Sequence, residues 1–542
     1  MHESTCSRLA AVTWAATVLL AGGCTSLREY VCNGFKVGPN YGGLVAESRE
    51  RWIDDGDLRV RRETANLARW WSVFQDPVLD DLIESAQRQN LSLREAGFRI
   101  LQARAHLAIT VGNLFPQSQH ANGSYRHSGT PLGPQIPMEV EVGGLSIPLT
   151  LRSQQNYLDQ WNLGFNLAWE LDLWGRYRRA VMAAQDTLDA SAADYDGVLV
   201  TLLGDVAALY VQIRTLEQRA EFVRQNVAEQ RKIAGIIERI YEVGGDPRKG
   251  YPPKRLPDVY QIKSVLAQTE SHMPQLQLEL REASNRLCIL LGLPPTALQE
   301  RLGRGAIPVA PAEVVVGIPA DLLRRRPDVR RVESQAAAQA ERIGIAEADL
   351  YPMFALSGVV GLQAETLPQL LSAQAFHGSL GPSFQWNILN YGRILNNMRL
   401  QEARFGELVT VYQHTVLRAN AEVENGIARF LRAQERSRAL DVSADFAERA
   451  VREIEKLHAV GWRGFDANQL AVITLTKVQQ QDLQAQAHGE IAQGLIQVYR
   501  ALGGGWETAA RPAEPTPVAP RAAPSSAEEV PAPPAGLSTS RT

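Results

Sequence analysis

The feature that most constrains this chain is a repeated length. Gly175-Arg176 opens a stretch that closes on Val243-Gly244, and Gly392-Arg393 opens one that closes on Val460-Gly461, and both intervals span 69 residue steps. Each Gly-Arg ends a similar octapeptide, WELDLWGR at 169–176 and WNILNYGR at 386–393. The pattern inside both intervals is helical, which predicts two helices of about 68 residues, roughly 100 Å each at about 1.5 Å per residue. Upstream, FPQ at 115–117 answers YPM at 351–353, and LQARAHLAITVGNL (101–114) answers AQAERIGIAEADL (338–350) in pattern. The chain is an internal duplication.

Within the first interval two apolar series recur every seven residues: Val181, Leu188, Tyr195, Leu202, Leu209, Leu216, Val223, and Ala192, Leu199, Val206, Ile213, Ala220, Val227. Their members lie alternately four and three apart, the a/d seam of a coiled coil. Gly197, Gly204 and Gly235 weaken this helix without breaking its register. A helix that long needs antiparallel partners of equal reach. The segment from Asp258 to Leu291 and a helix from about Asp80 to Gly112, placed end to end, supply them, so each half reads as one continuous helix beside two shorter ones in line.

Between the short helix and Gly-Arg the period changes. From Tyr157 to Leu173 the odd positions are mostly apolar and aromatic (Trp161, Leu163, Phe165, Leu167, Trp169, Leu171) and the even ones mostly polar (Gln160, Asn162, Asn166, Glu170, Asp172). Phe354, Leu356, Val360 and Leu362, then Phe384, Trp386 and Ile388, repeat this more weakly, and Gln117 to Arg126 is the poorest of four predicted strands. A half-buried strand of a soluble sheet has the same alternation. It is also what a membrane β-barrel requires. Four strands cannot close a barrel, and open edges are not tolerated in lipid, so membrane strands here imply several copies sharing one barrel.

The start of the chain supports that setting. A polar opening with Arg8 leads into an apolar run from Leu9 to Gly23, too short to span a bilayer but suited to a signal core. With Cys24 next, it resembles a bacterial lipoprotein signal, departing from the usual pattern in having Ala21 three places before the Cys. The resemblance implies a covalent lipid on Cys24; ordinary cleavage with Cys24 unmodified is the alternative. Thr25 and Ser26, with no Asp, are similar to lipoproteins sent to the outer membrane. Cys32 and Cys288 are too few and too isolated for a disulfide framework or metal site, and Cys288 reads as a buried apolar residue. No other segment holds 18 or more apolar residues, so no membrane-crossing helix is predicted. The net charge of −3 lacks the basic excess that nucleic acid demands. No HExxH, GxSxG or Walker-type loop is present, which points away from an enzyme, and His120 and His127 read as strand or loop residues.

WELDLWGR and WNILNYGR, together with GIPADLLRRRPDVR (317–330), IGIAEADLYPMFALSG (343–358), WWSVFQDPVLDDLI (70–83) and ALGGGW (501–506), resemble the TolC/OprM-type outer-membrane efflux lipoproteins of the NodT family over about residues 37–506. The resemblance implies a mainly α fold with membrane β: a homotrimer forming a 12-stranded outer-membrane β-barrel, continued by a periplasmic α-helical barrel with an equatorial α/β belt. It implies no cofactor beyond the lipid. The expected partners are a periplasmic adaptor (membrane fusion protein), an inner-membrane pump and outer-membrane lipid, and the expected role is the exit duct of a tripartite efflux system. A lipidated periplasmic scaffold leaves the strands unexplained, and an exit duct for type I protein secretion is the nearest relative within the class.

On that reading each Trp-x5-Gly-Arg marks a strand-to-helix corner: Trp169 and Trp386 as apolar strand residues, Gly175 and Gly392 as the turns, Arg176 and Arg393 in the first helical turn. The second helical tip, VGWRGFDANQL (460–470), places Arg463 and Asp466 where the family closes its periplasmic gate, although Gln469 fills the second acidic place. The first tip carries a basic, Pro-rich insert (245–257) at the expected docking end. The chain divides into a signal (1–23), a lipidated and equatorial segment (24–76), the first repeat (77–291), an equatorial linker (292–326), the second repeat (327–506) and a disordered Pro/Ala-rich tail (507–542).

Overall fold

The computed structural model describes residues 26–45, 51–63, 67–129, 136–142, 145–151, 157–243, 256–317, 325–459 and 467–508. Cys24, Arg463, Asp466, most of the first-tip insert and the tail beyond Thr508 lie outside the described residues. The duplication takes the form of three pairs of helices matched in length. The long helices α4 (Arg176–Glu242) and α7 (Arg393–Ala459) have 67 residues each. The returning helices α5 (Leu256–Leu290) and α8 (Ala467–Ala501) have 35, and α3 (Leu91–Gly112) and α6 (Pro327–Ala348) have 22. Two shorter helices, α1 (Leu27–Cys32) and α2 (Pro77–Gln89), precede them.

One sequence expectation changes here. The helix predicted from Asp80 to Gly112 is two helices, because Asn90 is extended (φ −62°, ψ 127°) and its side-chain oxygen accepts the Leu93 N–H at 2.8 Å. An Asn that caps the next helix competes with continuing the last one. Its amide also donates to the Leu290 carbonyl at 2.8 Å, so the end of α5 abuts the start of α3. Arg326 makes the matching junction in the second repeat, donating to the Ala501 carbonyl at 2.7 Å where α8 meets α6. The shorter helices therefore run in line as two composite columns: α3 with α5 on one side of α4, α6 with α8 on the other, and α7 against the second column.

The apolar core is densest halfway down α4, where Leu199, Leu203, Val206, Tyr210 and Ile213 are fully or almost fully buried. Residues from Leu199 to Leu216 are buried on more than the a/d seam, since neighbours flank this helix on both sides and a belt covers its outer face. In the belt Trp70 stacks on Tyr499 with ring centroids 5.6 Å apart, and Val60–Arg61 (β1) pairs in parallel with Val314–Val315 (β6). Gly505, at φ +102°, lets the ALGGGW segment turn directly against Leu203 and Trp71. An 18-residue window of α4 reaches a mean hydropathy of 1.5, contrary to the expectation that no helix has the composition of a membrane span, but 61% of it is buried inside the protein. Packing consumes that apolarity.

Beyond the helices lies a four-stranded antiparallel sheet in the order β2 (Ser118–Gly129), β5 (Tyr157–Leu171), β7 (Met353–Ala364), β8 (Phe376–Gln385). The repeats meet at its centre, where Phe165 pairs with Val360 and Leu163 with Leu362. β2 and β8 are its free edges. A separate hairpin, β3 (Ile136–Val142) with β4 (Leu145–Leu151), stands in the β2–β5 connection and was not predicted.

Candidate channel wall and its strand-to-helix corners

The strand register sorts residues by chemistry. Because successive residues point to opposite faces, the pairings put Leu163, Leu362 and Phe376 on one row, Phe165 and Val360 on the next, then Leu167 and Leu380, and finally Leu171, Phe354 and Phe384, all on one face. The other face carries Asn122, Ser124, Arg126, Gln160, Asn162, Asn166, Glu170, Ser357, Gln363, His377, Ser379 and Ser383. Among the described residues the apolar face stays largely open: Val360 is 53%, Phe376 63%, and Leu380 and Phe384 each 70% exposed. His120 and His127 both lie on β2 but on opposite faces, so they do not converge; His127 instead lies 2.6 Å from Asp159 across the strand pair.

The two octapeptides occupy equivalent corners. Trp169 donates its indole N–H to the Leu114 carbonyl at 3.2 Å and Trp386 donates to the Leu350 carbonyl at 3.0 Å. Leu114 and Leu350 are the residues just before FPQ and YPM, so in each repeat the Trp ties the end of the second strand to the end of the helix that led into the first. Trp169 sits on β5. Trp386, expected on a strand, lies one residue past β8, whose pairing ends at Met353–Gln385, and Ile388 lies further out. The indole nitrogen matters here more than apolar packing, which the alternation pattern could not indicate.

Gly175 and Gly392 both take left-handed backbone, φ +81° and +79°, immediately before α4 and α7. They differ in their surroundings. A Cβ on Gly175 would stand 2.9 Å from the Lys36 Cα, whereas one on Gly392 would meet only the Asn396 amide, at 3.5 Å. β5 ends two residues earlier than its alternation predicts because Asp172 turns back to accept the backbone N–H groups of Tyr177 and Arg178, each at 3.0 Å.

The arginines diverge as well. Arg176 lies 3.4 Å from Asp349 and 3.7 Å from Glu170. These three line a cavity of about 260 Å³ with Trp174 and Tyr351 where the sheet meets the helices. Burial above all, with Glu170 adding and Arg176 opposing, raises the Asp349 carboxyl from its ordinary value. Arg393 is exposed, and among the described residues its side chain donates to the Asn390 carbonyl at 3.3 Å. The corner's most confined charge is Arg179, which sequence reading did not single out. Fully buried, it donates to the carbonyls of Val37 and Gly38 at 2.6 Å each and of Pro39 at 3.1 Å, and pairs with Glu341 at 2.6 Å. It clamps the N-terminal segment between α4 and α6. Its position as the third basic residue of GRYRR carries no periodic signal.

This arrangement, duplicated helical hairpins tied by Gly-Arg corners to a two-faced sheet, has established counterparts. The outer membrane efflux protein family matches residues 82–293 and 318–504. The chain belongs to that family. Nodulation protein T of Rhizobium leguminosarum bv. viciae is 28% identical over 367 residues, 67% of this chain and 69% of that one. The pyoverdine export outer membrane protein OpmQ of Pseudomonas putida is 27% identical over 81% of this chain and 88% of its own length. Among solved structures the outer-membrane channel OprN superposes with a TM-score of 0.75 at 28% identity, covering 87% of this chain and 99% of that one. An outer-membrane efflux protein is therefore what the fold builds, and its family is one of channels rather than enzymes.

Proposed function

We propose that three copies of this chain form one 12-stranded barrel in the outer membrane, continued by a helical tunnel, and that the assembly is the exit duct of a tripartite efflux system. The observation that carries this reading is the unclosed sheet with an uncovered apolar face. In lipid that face is solvated, but free edges are not tolerated, so β2 and β8 need partners from further copies. The edges are unlike, and unlike edges join head to tail into a ring.

The duplication supports specific contacts. Within the chain the first corner docks on the second repeat: Trp174 stacks on Tyr351 at 4.6 Å and donates to the Pro352 carbonyl at 2.8 Å. The equivalent residue of the second corner, Tyr391, is 93% exposed, and Phe115, the equivalent of Tyr351, is 64% exposed. Tyr391 of one copy packs on Phe115 and Pro116 of the next. Apolar residues exposed on the outer columns, Phe98 and Ile109 on α3 and Leu400 and Leu417 on α7, fit the same joint.

Lipid on Cys24 agrees with the position of α1. Ser26 caps it, and Tyr30 donates to the Leu173 carbonyl at 2.8 Å, which holds α1 near the end of β5 and supports an anchor at this level. Arg463 and Asp466 are proposed as the periplasmic gate, where a ring of one carboxylate per copy favours cations. The names of relatives that specify pyoverdine, toluene and solvents support a reading in which the cargo is a small molecule, and the proposed delivery is by an inner-membrane pump through a periplasmic adaptor. Single-channel conductance in a planar bilayer tests this. Discrete openings from a three-copy particle, with greater conductance or altered selectivity in Asp466→Ala, are expected. Unchanged openings in the variant move the gate elsewhere, and a folded protein without openings overturns the duct.

A further inference from the structure

A cavity of about 560 Å³ opens at the level of the belt, between the start of α6 and the facing stretches of α4, α7 and α8. That volume suits a small organic solute rather than a bare ion. Gly197 and Gly204, two of the glycines that weaken α4, both line it. A Cβ on Gly204 would stand 2.9 Å from the Arg500 Cδ, so the missing side chain is what lets the Arg500 stem lie across α4.

The charges of the lining are unequally matched. It holds three arginines, Arg326, Arg429 and Arg500, and two acids, Asp328 and Glu422. Arg326 is buried and takes both acids, each at 2.7 Å. Arg500 pairs at 2.8 Å with Asp205, which borders a neighbouring cavity. Arg429 donates to the Gln497 amide oxygen at 2.5 Å and makes no ion pair among the described residues. Gln497 stands one turn before Arg500 on α8, so the two guanidiniums flank it, close enough to share one planar anion.

This lining faces away from the belt. On α7, Glu424 accepts the Ile53 N–H and Gln434 donates to the Ala312 carbonyl; Arg429 is five residues from each, about 140° round the helix at ~100° per residue. On α8, Tyr499 stacks on Trp70, and Gln497, two residues away, lies about 160° round. Twelve helical columns about 10 Å apart enclose a bore of about 28 Å. Three belts inside it would block the duct, so the belt lies outside and the arginines line the bore.

We propose that Arg429 and Arg500 form a carboxylate-binding site on the wall of the tunnel, repeated in each copy, through which anionic small molecules step on their way out. This rests on the shared-tunnel reading above. A guanidinium matches a carboxylate with two parallel N–H···O bonds, a geometry that a chloride ion does not use. Conduction needs a site that releases what it captures. Arg429 meets that need, being exposed and held by one neutral acceptor.

Benzoate is the probe, added to the full chain in planar bilayers and in detergent micelles. In the parent it is expected to reduce single-channel current and to give a saturation-transfer NMR signal of the bound probe. Arg429→Gln/Arg500→Gln is expected to raise the half-blocking concentration at least about fivefold and to shift the reversal potential in a KCl gradient toward cation selectivity. Arg429→Lys is expected to keep the selectivity and lose part of the block, since the charge remains without the planar fork. If the double variant does not assemble, Arg429→Gln alone, at an exposed side chain, gives the same reading. Block and selectivity unchanged in a folded variant overturn the site while leaving the duct. Benzoate bound through both arginines without effect on the current puts the groove on the outer surface and equally overturns the site. Absence of channels from the parent chain overturns the shared tunnel and the site with it.

Discussion

At the scale of single residues, the two Gly-Arg corners show how little a motif says about the energy of its members. Arg179 is enclosed with Glu341, and removing one member of such a pair strands the other in low dielectric. Arg179→Met is expected to cost about 3–5 kcal/mol in denaturant unfolding, and Arg179→Met/Glu341→Leu to recover most of it, since the stranded carboxylate is then gone. Arg393→Met, at an exposed site without an acidic partner among the described residues, is expected to stay within about 0.5 kcal/mol. Asp186 offers a pH test. Partial burial first, then Glu341 and Asp189, push its carboxyl from 3.8 up to about 6. Between those values the folded state binds the proton more tightly than the unfolded one, so stability falls as pH rises through this window, and the penalty is complete above it. Asp186→Asn lacks the penalty: its melting temperature is expected to exceed that of the parent above pH 6 and to converge with it below 3.8. A constant gap across the range refutes the assignment.

At the scale of elements, the corners decide where strand gives way to helix. Gly175 and Gly392 share a left-handed backbone, which costs a residue with a Cβ about 1–2 kcal/mol. At Gly175 the Lys36 backbone also stands in the way of a Cβ, while Gly392 has room. Gly175→Ala is therefore expected to destabilise clearly more than Gly392→Ala, read as the difference in melting temperature and in proteolysis near Lys36. Equal effects rule out the close approach of the N-terminal segment. The break between α2 and α3 belongs to this scale too. Apolar periodicity runs through Asn90 without interruption, and the chain stops and restarts there because Asn90 caps α3 through the Leu93 N–H and also donates to the Leu290 carbonyl across the junction.

At the scale of the whole molecule, adjacent residues of one strand belong to opposite faces of the sheet, which the proposed barrel turns toward lipid and lumen. Val360 lies on the apolar face of β7, and Val359 on the polar face between Asn166 and Ser379. In the proposed barrel, Val360→Lys places a charge in lipid and is expected to cost about 2–4 kcal/mol near the bilayer midplane, whereas a substitution on the proposed lumen face is mild. Urea unfolding from phospholipid vesicles measures both. If Val359→Lys proves the more damaging, the faces are assigned the wrong way round.

The sequence by itself determined the elements and their repetition. Equal spacing between Gly-Arg and Val-Gly set two long helices of one length, period-two alternation set the sheet's two faces, and their combination pointed to an outer-membrane duct. These are local properties: a helix length and a strand face depend on residues a few places apart. The tertiary structure decided what local pattern cannot encode. The use of the Trp169 and Trp386 indoles as ties and the clamp of Arg179 on a segment about 140 residues earlier depend on partners distant in sequence. The apolar face left uncovered by one chain is likewise visible only once every strand has its neighbour. Hydrogen bonds and ion pairs are short-ranged and directional, so their meaning appears only when folding has brought both ends together.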